Sequence, residues 1–291
     1  MKVLAFVELL KPITWFPPMW AFLCGAITSG ESFRDKWPVI VLGLILTGPL
    51  VCASSQAVND WFDRHVDAIN EPNRPIPSGR IPGRWGLYLG IIWSLLSLFI
   101  GLMLGPWGFL ATLLAILFSW AYSMPPVRLK ENGWWGNLAC SMSYEGLAWV
   151  TGAALLSASL SPSKPSLFLA LLFSLGAHGI MTLNDFKAIE GDKKMGIRSL
   201  PVQLGPKLAA LIACIIMLIP QLIVIAYLLG LGVSLYAYVM IFLLLGQLLL
   251  MAYFYQKPIE RALFYSGFGV PIFVSGMMVA AFGIRQFGVG I

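Results

Sequence analysis

Nine apolar stretches, each close to the thickness of a bilayer's hydrocarbon layer in length, follow one another from near the start of the chain to near its end. They are read at about 13–30, 38–58, 85–104, 107–124, 134–157, 166–183, 207–229, 233–255 and 262–284, bounded by Gly, Pro or charge. A helix needs about 20 such residues to cross about 30 Å of hydrocarbon, where every backbone polar group has to be satisfied within the protein. Only helices and closed β-barrels meet that demand. Runs such as 208–229 lack the alternation of a barrel strand. The expected architecture is therefore all-α and integral to a membrane: nine transmembrane helices around a central cavity, in one polytopic domain over 1–291. Only 11% of the 291 residues are charged, against about a quarter in a soluble domain.

Basic residues near span ends set the orientation. Lys2, Lys11, Arg64, Arg74, Arg80, Arg84, Arg128, Lys130, Lys187, Lys193, Lys194, Arg198, Lys207, Lys257 and Arg261 fall on the amino-terminal side, and Arg34, Lys36, Lys164 and Arg285 on the other. The amino terminus is expected in the cytoplasm and the carboxyl terminus across the membrane. Residues 1–12 have no small-residue cleavage site behind a short apolar core, so they are expected to stay on the mature protein. The net charge of +6 is spread over short loops with no basic helix, which argues for orientation and against nucleic acid. Cys24, Cys52, Cys140 and Cys214 all lie in spans without the paired spacing of a zinc or redox site and are read as packing residues.

The chemistry collects in two acidic segments on the amino-terminal side. The first runs Asn59-Asp60-Trp61-Phe62-Asp63-Arg64-His65-Val66-Asp67, then through Glu71 to Arg74-Pro75-Ile76-Pro77. The second runs Asn184-Asp185-Phe186-Lys187-Ala188-Ile189-Glu190-Gly191-Asp192, then Lys193-Lys194 and Arg198-Ser199-Leu200-Pro201. Asn59, Asp63 and Asp67 recur every four residues, which stacks them on one helix face with neighbours about 5–6 Å apart. Carboxylates so close repel unless a cation lies between them, and hard oxygen donors without thiolate or imidazole favour Mg²⁺. Asp185 and Asp192 again share a face. Glu190 points elsewhere on a regular helix, so either the helix breaks near Gly191 or Glu190 has another task.

The segments look like copies: Asn-Asp recurs at an offset of 125 and Arg-x-x-Pro at 124. This predicts two pseudo-equivalent halves, about 1–125 and 126–291, that face each other across one cavity. Mg²⁺ takes one or two carboxylates plus phosphate oxygens, so two such clusters with Arg74, Lys193, Lys194 and Arg198 beside them suit a diphosphate. Arg128 and Lys130, after the turn 122–127, lie on the same side and either close that pocket or hold orientation. Glu145 inside a span is either a cavity-lining group or a protonated acid bonded to a neighbouring helix. His65 and His178 are read as packing residues.

On these residues the chain resembles the UbiA-type membrane prenyltransferases over essentially its whole length. More narrowly, 59–72 followed by Arg74-Pro75-Ile76-Pro77-Ser78-Gly79-Arg80 is similar to the chlorophyll and bacteriochlorophyll synthases, and 81–88 to the bacterial branch. The resemblance implies a nine-helix fold and esterification of a (bacterio)chlorophyllide propionate by geranylgeranyl or phytyl diphosphate, with Mg²⁺ as cofactor and a bacterial cytoplasmic or photosynthetic membrane as the location. It implies that Asn59, Asp63 and Asp67 hold one Mg²⁺ and Asp185, Glu190 and Asp192 the other, with Asp63, Asp67, Asp185 and Asp192 catalytic. The diphosphate then falls to Arg74, Arg128, Lys130, Lys193, Lys194 and Arg198. One departure stands out: many members carry Asp where this chain has Ala188. Other readings are prenylation of a quinone precursor or haem, an ion-coupled transporter, whose site would lie nearer the midplane, and a pigment-binding structural protein, which would not need the acidic motifs.

Overall fold

The structure is a computed structural model that describes residues 3–289, so Lys2 of the orientation count lies outside the described residues. Helices account for all but its connections: α1 (Val3–Leu10), α2 (Phe16–Thr28), α3 (Trp37–Ile45), α4 (Ala53–Asn70), α5 (Trp85–Met103), α6 (Pro106–Ser123), α7 (Gly133–Ser141), α8 (Ala148–Leu156), α9 (Lys164–Asp185), α10 (Ile189–Met195), α11 (Leu200–Leu204), α12 (Pro206–Gly230), α13 (Ser234–Gln256) and α14 (Pro258–Val289). Two π-helical turns, Leu46–Cys52 and Met142–Leu147, join α3 to α4 and α7 to α8 without a break. Among the described residues there is no strand, only one parallel bridge between Asn132 and Arg198.

Among the described residues, seven helices are long and apolar enough to cross a membrane. The other two expected spans correspond to the 13-residue α2, which is short but apolar, and to the helix of α7, a π turn and α8. Helix starts follow the local sequence. Asn132 accepts a hydrogen bond from the Trp134 amide and Ser163 from the Ser166 amide, each satisfying a donor that the first turn leaves free. Proline stands at the first or second position of α2, α3, α6, α9, α11 and α12, where its missing N–H costs nothing.

Small residues let helices approach within backbone contact. A Cβ on Gly25 of α2 would stand 1.9 Å from the Trp149 carbonyl oxygen of α8, and one on Gly152 of α8 would stand 2.0 Å from that of Phe22 in α2. Large exposed side chains such as Leu95, Phe99, Phe242 and Leu249 cover the outside. The main core joins α8, α9, α12, α13 and α14 around Trp149, Phe173, Met217, Phe254 and Phe273. A smaller one seats Ile81, after the first acidic segment, against Ala5 and Leu9 of α1 and Ala57 of α4.

Candidate active site

α4 carries the first motif out of its span as one uninterrupted helix, so Asn59, Asp63 and Asp67 do stack on one face. All three line a polar chamber of about 1110 Å³, mouth included. The second motif is built differently. α9 ends at Asp185, a turn spans Phe186 to Ala188, and α10 begins at Ile189, so the interruption falls before Glu190 and not at Gly191. Asp185, Ala188 and Asp192 line the same chamber from the opposite side. Two segments 125 residues apart thus meet across one space.

The cations divide into two groups. Arg74, Arg128 and Lys130 line the chamber. Arg74 forks onto Glu71 at 2.7 and 2.8 Å and reaches Asp67 at 2.9 Å. Lys130, only 8% exposed, pairs with Asp63, which Arg128 also approaches at 3.3 Å. Burial pushes the Lys130 ammonium below the usual lysine range, against the opposing attraction of Asp63. Arg128 holds the left-handed conformation at φ 37, uncommon outside glycine, and from it also meets Glu131 at 3.1 Å. Lys193, Lys194 and Arg198 are exposed and do not line the chamber. Glu190 is also outside it, 85% exposed and 4.0 Å from Lys193.

Several neighbours of the acids were not legible from spacing. Asn137, one turn into α7, donates its amide to Asp185 at 3.0 Å and to Thr182 at 3.3 Å. Its signal was a polar side chain inside an apolar span. Asn59 donates to the Ser123 hydroxyl at 3.2 Å, which leaves its amide oxygen as the group that can accept a hydrogen bond or ligate a cation in the chamber. Asp192 is buried beside Ser199, and burial lifts its carboxyl above the usual range despite that hydroxyl. Asp60 has a different part: 1% exposed, it binds Lys11 at 2.6 Å and lies 3.5 Å from Arg74, which ties the start of the chain to the loop after α4.

Two backbone contacts fix the second motif. Gly133 lets α7 start against Ser199 and Leu200, since a Cβ there would meet the Leu200 nitrogen at 2.6 Å. The Arg198 amide donates to Glu131 and the Gly133 amide to Arg198, both at 2.9 Å. The loop holding Arg128 and Lys130 and the loop after Asp192 are thereby joined.

Beneath the polar chamber lies an apolar one of about 970 Å³, mouth included, walled by α2, α6, and the two π turns with α4, α7 and α8. Asn59 and Tyr122 belong to both walls, so the chambers adjoin there. Tyr144 lines the lower one, held by Gln56 at 3.0 Å and Cys52 at 3.2 Å. Glu145 does not line it; the side chain is 3% exposed and, among the described residues, its Oε2 has no hydrogen-bond partner. Cys52 and Cys140 line the wall, whereas Cys24 is packed away. His65 is exposed, and His178 is buried with Nε2 3.1 Å from the Trp134 carbonyl.

A polar chamber of facing acids and cations, set over an apolar one inside a helical membrane bundle, is the arrangement of an enzyme that parts a hydrocarbon chain from a charged leaving group. The chain belongs to the UbiA prenyltransferase family, whose pattern matches residues 10–282. It is 55% identical to the bacteriochlorophyll synthase 33 kDa chain of Cereibacter sphaeroides, covering 97% of this chain and 93% of that protein. It is 40% identical to the chloroplastic chlorophyll synthase of Avena sativa, over 94% of this chain and 75% of that one. A solved UbiA homolog from Archaeoglobus fulgidus bound to GPP and Mg²⁺ shares the fold with a TM-score of 0.63 at 21% identity, covering 98% of each chain.

Proposed function

We propose that this chain transfers a geranylgeranyl or phytyl group from its diphosphate to the propionate carboxylate of bacteriochlorophyllide or chlorophyllide. The observation that carries the reading is the pair of adjoining chambers, ionic above and apolar below, meeting at Asn59 and Tyr122. The high identity to a bacteriochlorophyll synthase over nearly the whole chain supports the pigment as acceptor and bacteriochlorophyllide as the preferred one.

Mg²⁺ fits the donor set. Among the described residues no three Asp, Glu, His or Cys gather tightly enough to hold an ion by themselves. That suits Mg²⁺, which takes one or two carboxylates and completes its shell with phosphate oxygens and water. Asn59, Asp63 and Asp67 would hold it on one side of the chamber and Asp185 and Asp192 on the other, with Glu190 able to join only if its side chain turns inward. When bound, the ion neutralises the charge that grows on the leaving diphosphate. Arg74, Arg128 and Lys130 orient the diphosphate and supply fixed positive charge where negative charge develops. Lys193, Lys194 and Arg198 stand outside the chamber wall and steer the anion towards it.

The allylic C–O bond breaks toward the diphosphate, and a propionate oxygen closes on the freed carbon to form the ester. A propionate is already ionised near neutral pH, so the chamber has to orient it and needs no strong base. The apolar lower wall keeps water from the cationic carbon. We place the polar chamber at the cytoplasmic face of a bacterial cytoplasmic or photosynthetic membrane, with the carboxyl terminus on the opposite side.

The test is to incubate the purified protein with Mg²⁺, geranylgeranyl diphosphate and each of bacteriochlorophyllide, chlorophyllide, a quinone precursor and haem, then to weigh the products. Esterified pigment is expected, more from bacteriochlorophyllide than from chlorophyllide. A prenylated quinone precursor with both pigments unchanged would sink the reading.

A further inference from the structure

Three helical walls of the apolar chamber run nearly the same distance away from the charged layer. Thirteen residues separate Asn59 from Leu46, eleven separate Tyr122 from Ala111, and twelve separate Ala139 from Thr151. At about 1.5 Å of rise per residue, each wall extends about 17–20 Å. Single C–C bonds of about 1.5 Å advance an extended chain by about 1.3 Å apiece, so the sixteen-carbon backbone of a four-isoprene tail spans about 19 Å. Five units would need about 24 Å on the same measure.

The chamber also has a floor. Its deepest rung holds Thr47, Thr112 and Thr151, and each hydroxyl donates to a carbonyl of its own helix: Gly43 at 3.0 Å, Gly108 at 2.7 Å and Leu147 at 2.8 Å. With their polar atoms spent on the backbone, these residues close the chamber as apolar groups. About one turn further along the same walls lies a separate core cluster of Phe22, Ala26, Ile40, Leu155 and Leu156, with Leu44 and Leu104 packed against it. Phe22 and Leu156 have no exposed surface. Gly43 packs directly on the Phe22 ring, where a Cβ would stand 2.1 Å away. Gly101 lies against Thr112, where a Cβ would stand 2.7 Å from the hydroxyl, so the plug has little room to yield.

We propose that this cluster, capped by the three threonines, is a chain-length ruler that admits a prenyl tail of four isoprene units and rejects longer ones. The inference rests on the lower chamber's taking the prenyl chain. Geranylgeranyl and phytyl tails have the same length, so the ruler accepts both and leaves their choice to other contacts.

The experiment measures binding of non-reactive prenyl thiolodiphosphates of two to six isoprene units, with Mg²⁺ and no acceptor, and repeats the series as turnover with bacteriochlorophyllide. Affinity is expected to rise at each step to four units and to fall at least tenfold at five. Ala111→Leu, which fills the deepest rung, should weaken the four-unit ligand about tenfold while the two- and three-unit ligands bind as in the unaltered protein. Their retention shows that the variant has folded. Leu155→Ala, which loosens the plug, should improve five-unit binding at least threefold. Equal affinity for four, five and six units would overturn the ruler, as would an Ala111→Leu loss spread evenly over all lengths. The acceptor-free binding series reads the ruler by itself, so a pigment that is bound but never esterified counts against the proposed reaction and leaves the ruler judged on its own data.

Discussion

Asp63 answers to two cations at once, Lys130 from a nearly buried position and Arg128 at 3.3 Å. Spacing alone makes Asp63→Asn look like the loss of one metal ligand at constant shape. The structure adds a cost, because the substitution leaves the Lys130 ammonium in a poorly hydrated place with only a neutral amide before it. Removing one partner of such a pair costs on the order of 3 kcal/mol, whereas replacing both by neutral groups is close to neutral. Asp63→Asn should therefore lower the thermal midpoint of the detergent-solubilised protein, and adding Lys130→Met should bring most of it back. Neither change should restore ester formation, since both remove groups assigned to the metal and the diphosphate. Circular dichroism melts beside a turnover assay check this. A double variant as unstable as Asp63→Asn would show that the pair is not coupled. The site acids were legible because they recur at helical spacing; their cations were only half legible. Arg74, Arg128 and Lys130 face inward while Lys193, Lys194 and Arg198 stay outside, and nothing in their order along the chain distinguishes them. What separates them is the turn before α10 and the left-handed backbone at Arg128, both products of tertiary contact.

Helix α2 and helix α8 wall the lower chamber together, and they are held by reciprocal glycines in which each helix presses its backbone into the gap left by the other. Without a hydrophobic drive between helices in lipid, such close packing is a main source of association. Gly25→Ala and Gly152→Ala each place a methyl group about 2 Å from a backbone carbonyl oxygen. A carbonyl in a helix cannot swing aside like a side chain, so the helices have to separate. The expected cost is about 1–3 kcal/mol per substitution. The pair should be less than additive, because the first separation accommodates the second methyl. Thermal unfolding of the two single variants and the double measures this, and two neutral substitutions would mean that the helices are not so close. Hydropathy makes the long spans visible, and it fails at the elements that shape the chamber. The π turns at Leu46–Cys52 and Met142–Leu147 look like ordinary apolar helix in the sequence, although both lie in the chamber wall. A π turn arises from packing on either side and leaves no residue signature of its own, even with Pro49 inside the first. The break falls at Phe186–Ala188 and not near Gly191, the one place where the sequence suggests a break as the alternative to another task for Glu190, because glycine is the visible punctuation and the turn actually used is not.

At the scale of the whole molecule the two acidic motifs resemble each other in sequence and share one chamber, and the likeness is inexact. Asn59 lines the chamber and Asp60 is tied to Lys11, whereas in the second copy Asp185 lines it and Asn184 is exposed. Only the first position has moved by one residue, since Ala188 and Asp192 keep the offset of 125 from Asp63 and Asp67, so the second motif presents Asp185, Ala188 and Asp192 where the first presents Asn59, Asp63 and Asp67. We take the halves, about 1–125 and 126–291, as facing repeats that have diverged in this way. If both motifs hold Mg²⁺ against one diphosphate, neither is useful without the other, because charge left unbalanced on either side of the leaving group raises the same barrier. Chelator should abolish turnover and added Mg²⁺ or Mn²⁺ should restore it. Asp192→Asn should also lower turnover at least a hundredfold while pigment binding persists, since the acceptor does not depend on the second metal. Combined with Asp63→Asn and Lys130→Met, which together preserve stability, it should cost little beyond either change alone, as groups acting as a unit are strongly non-additive. Product formation, pigment retention and melting curves for the three proteins separate the possibilities. Losses that multiply, or an Asp192→Asn enzyme that keeps its activity, would mean that the second motif serves the structure and that one metal on α4 carries the reaction.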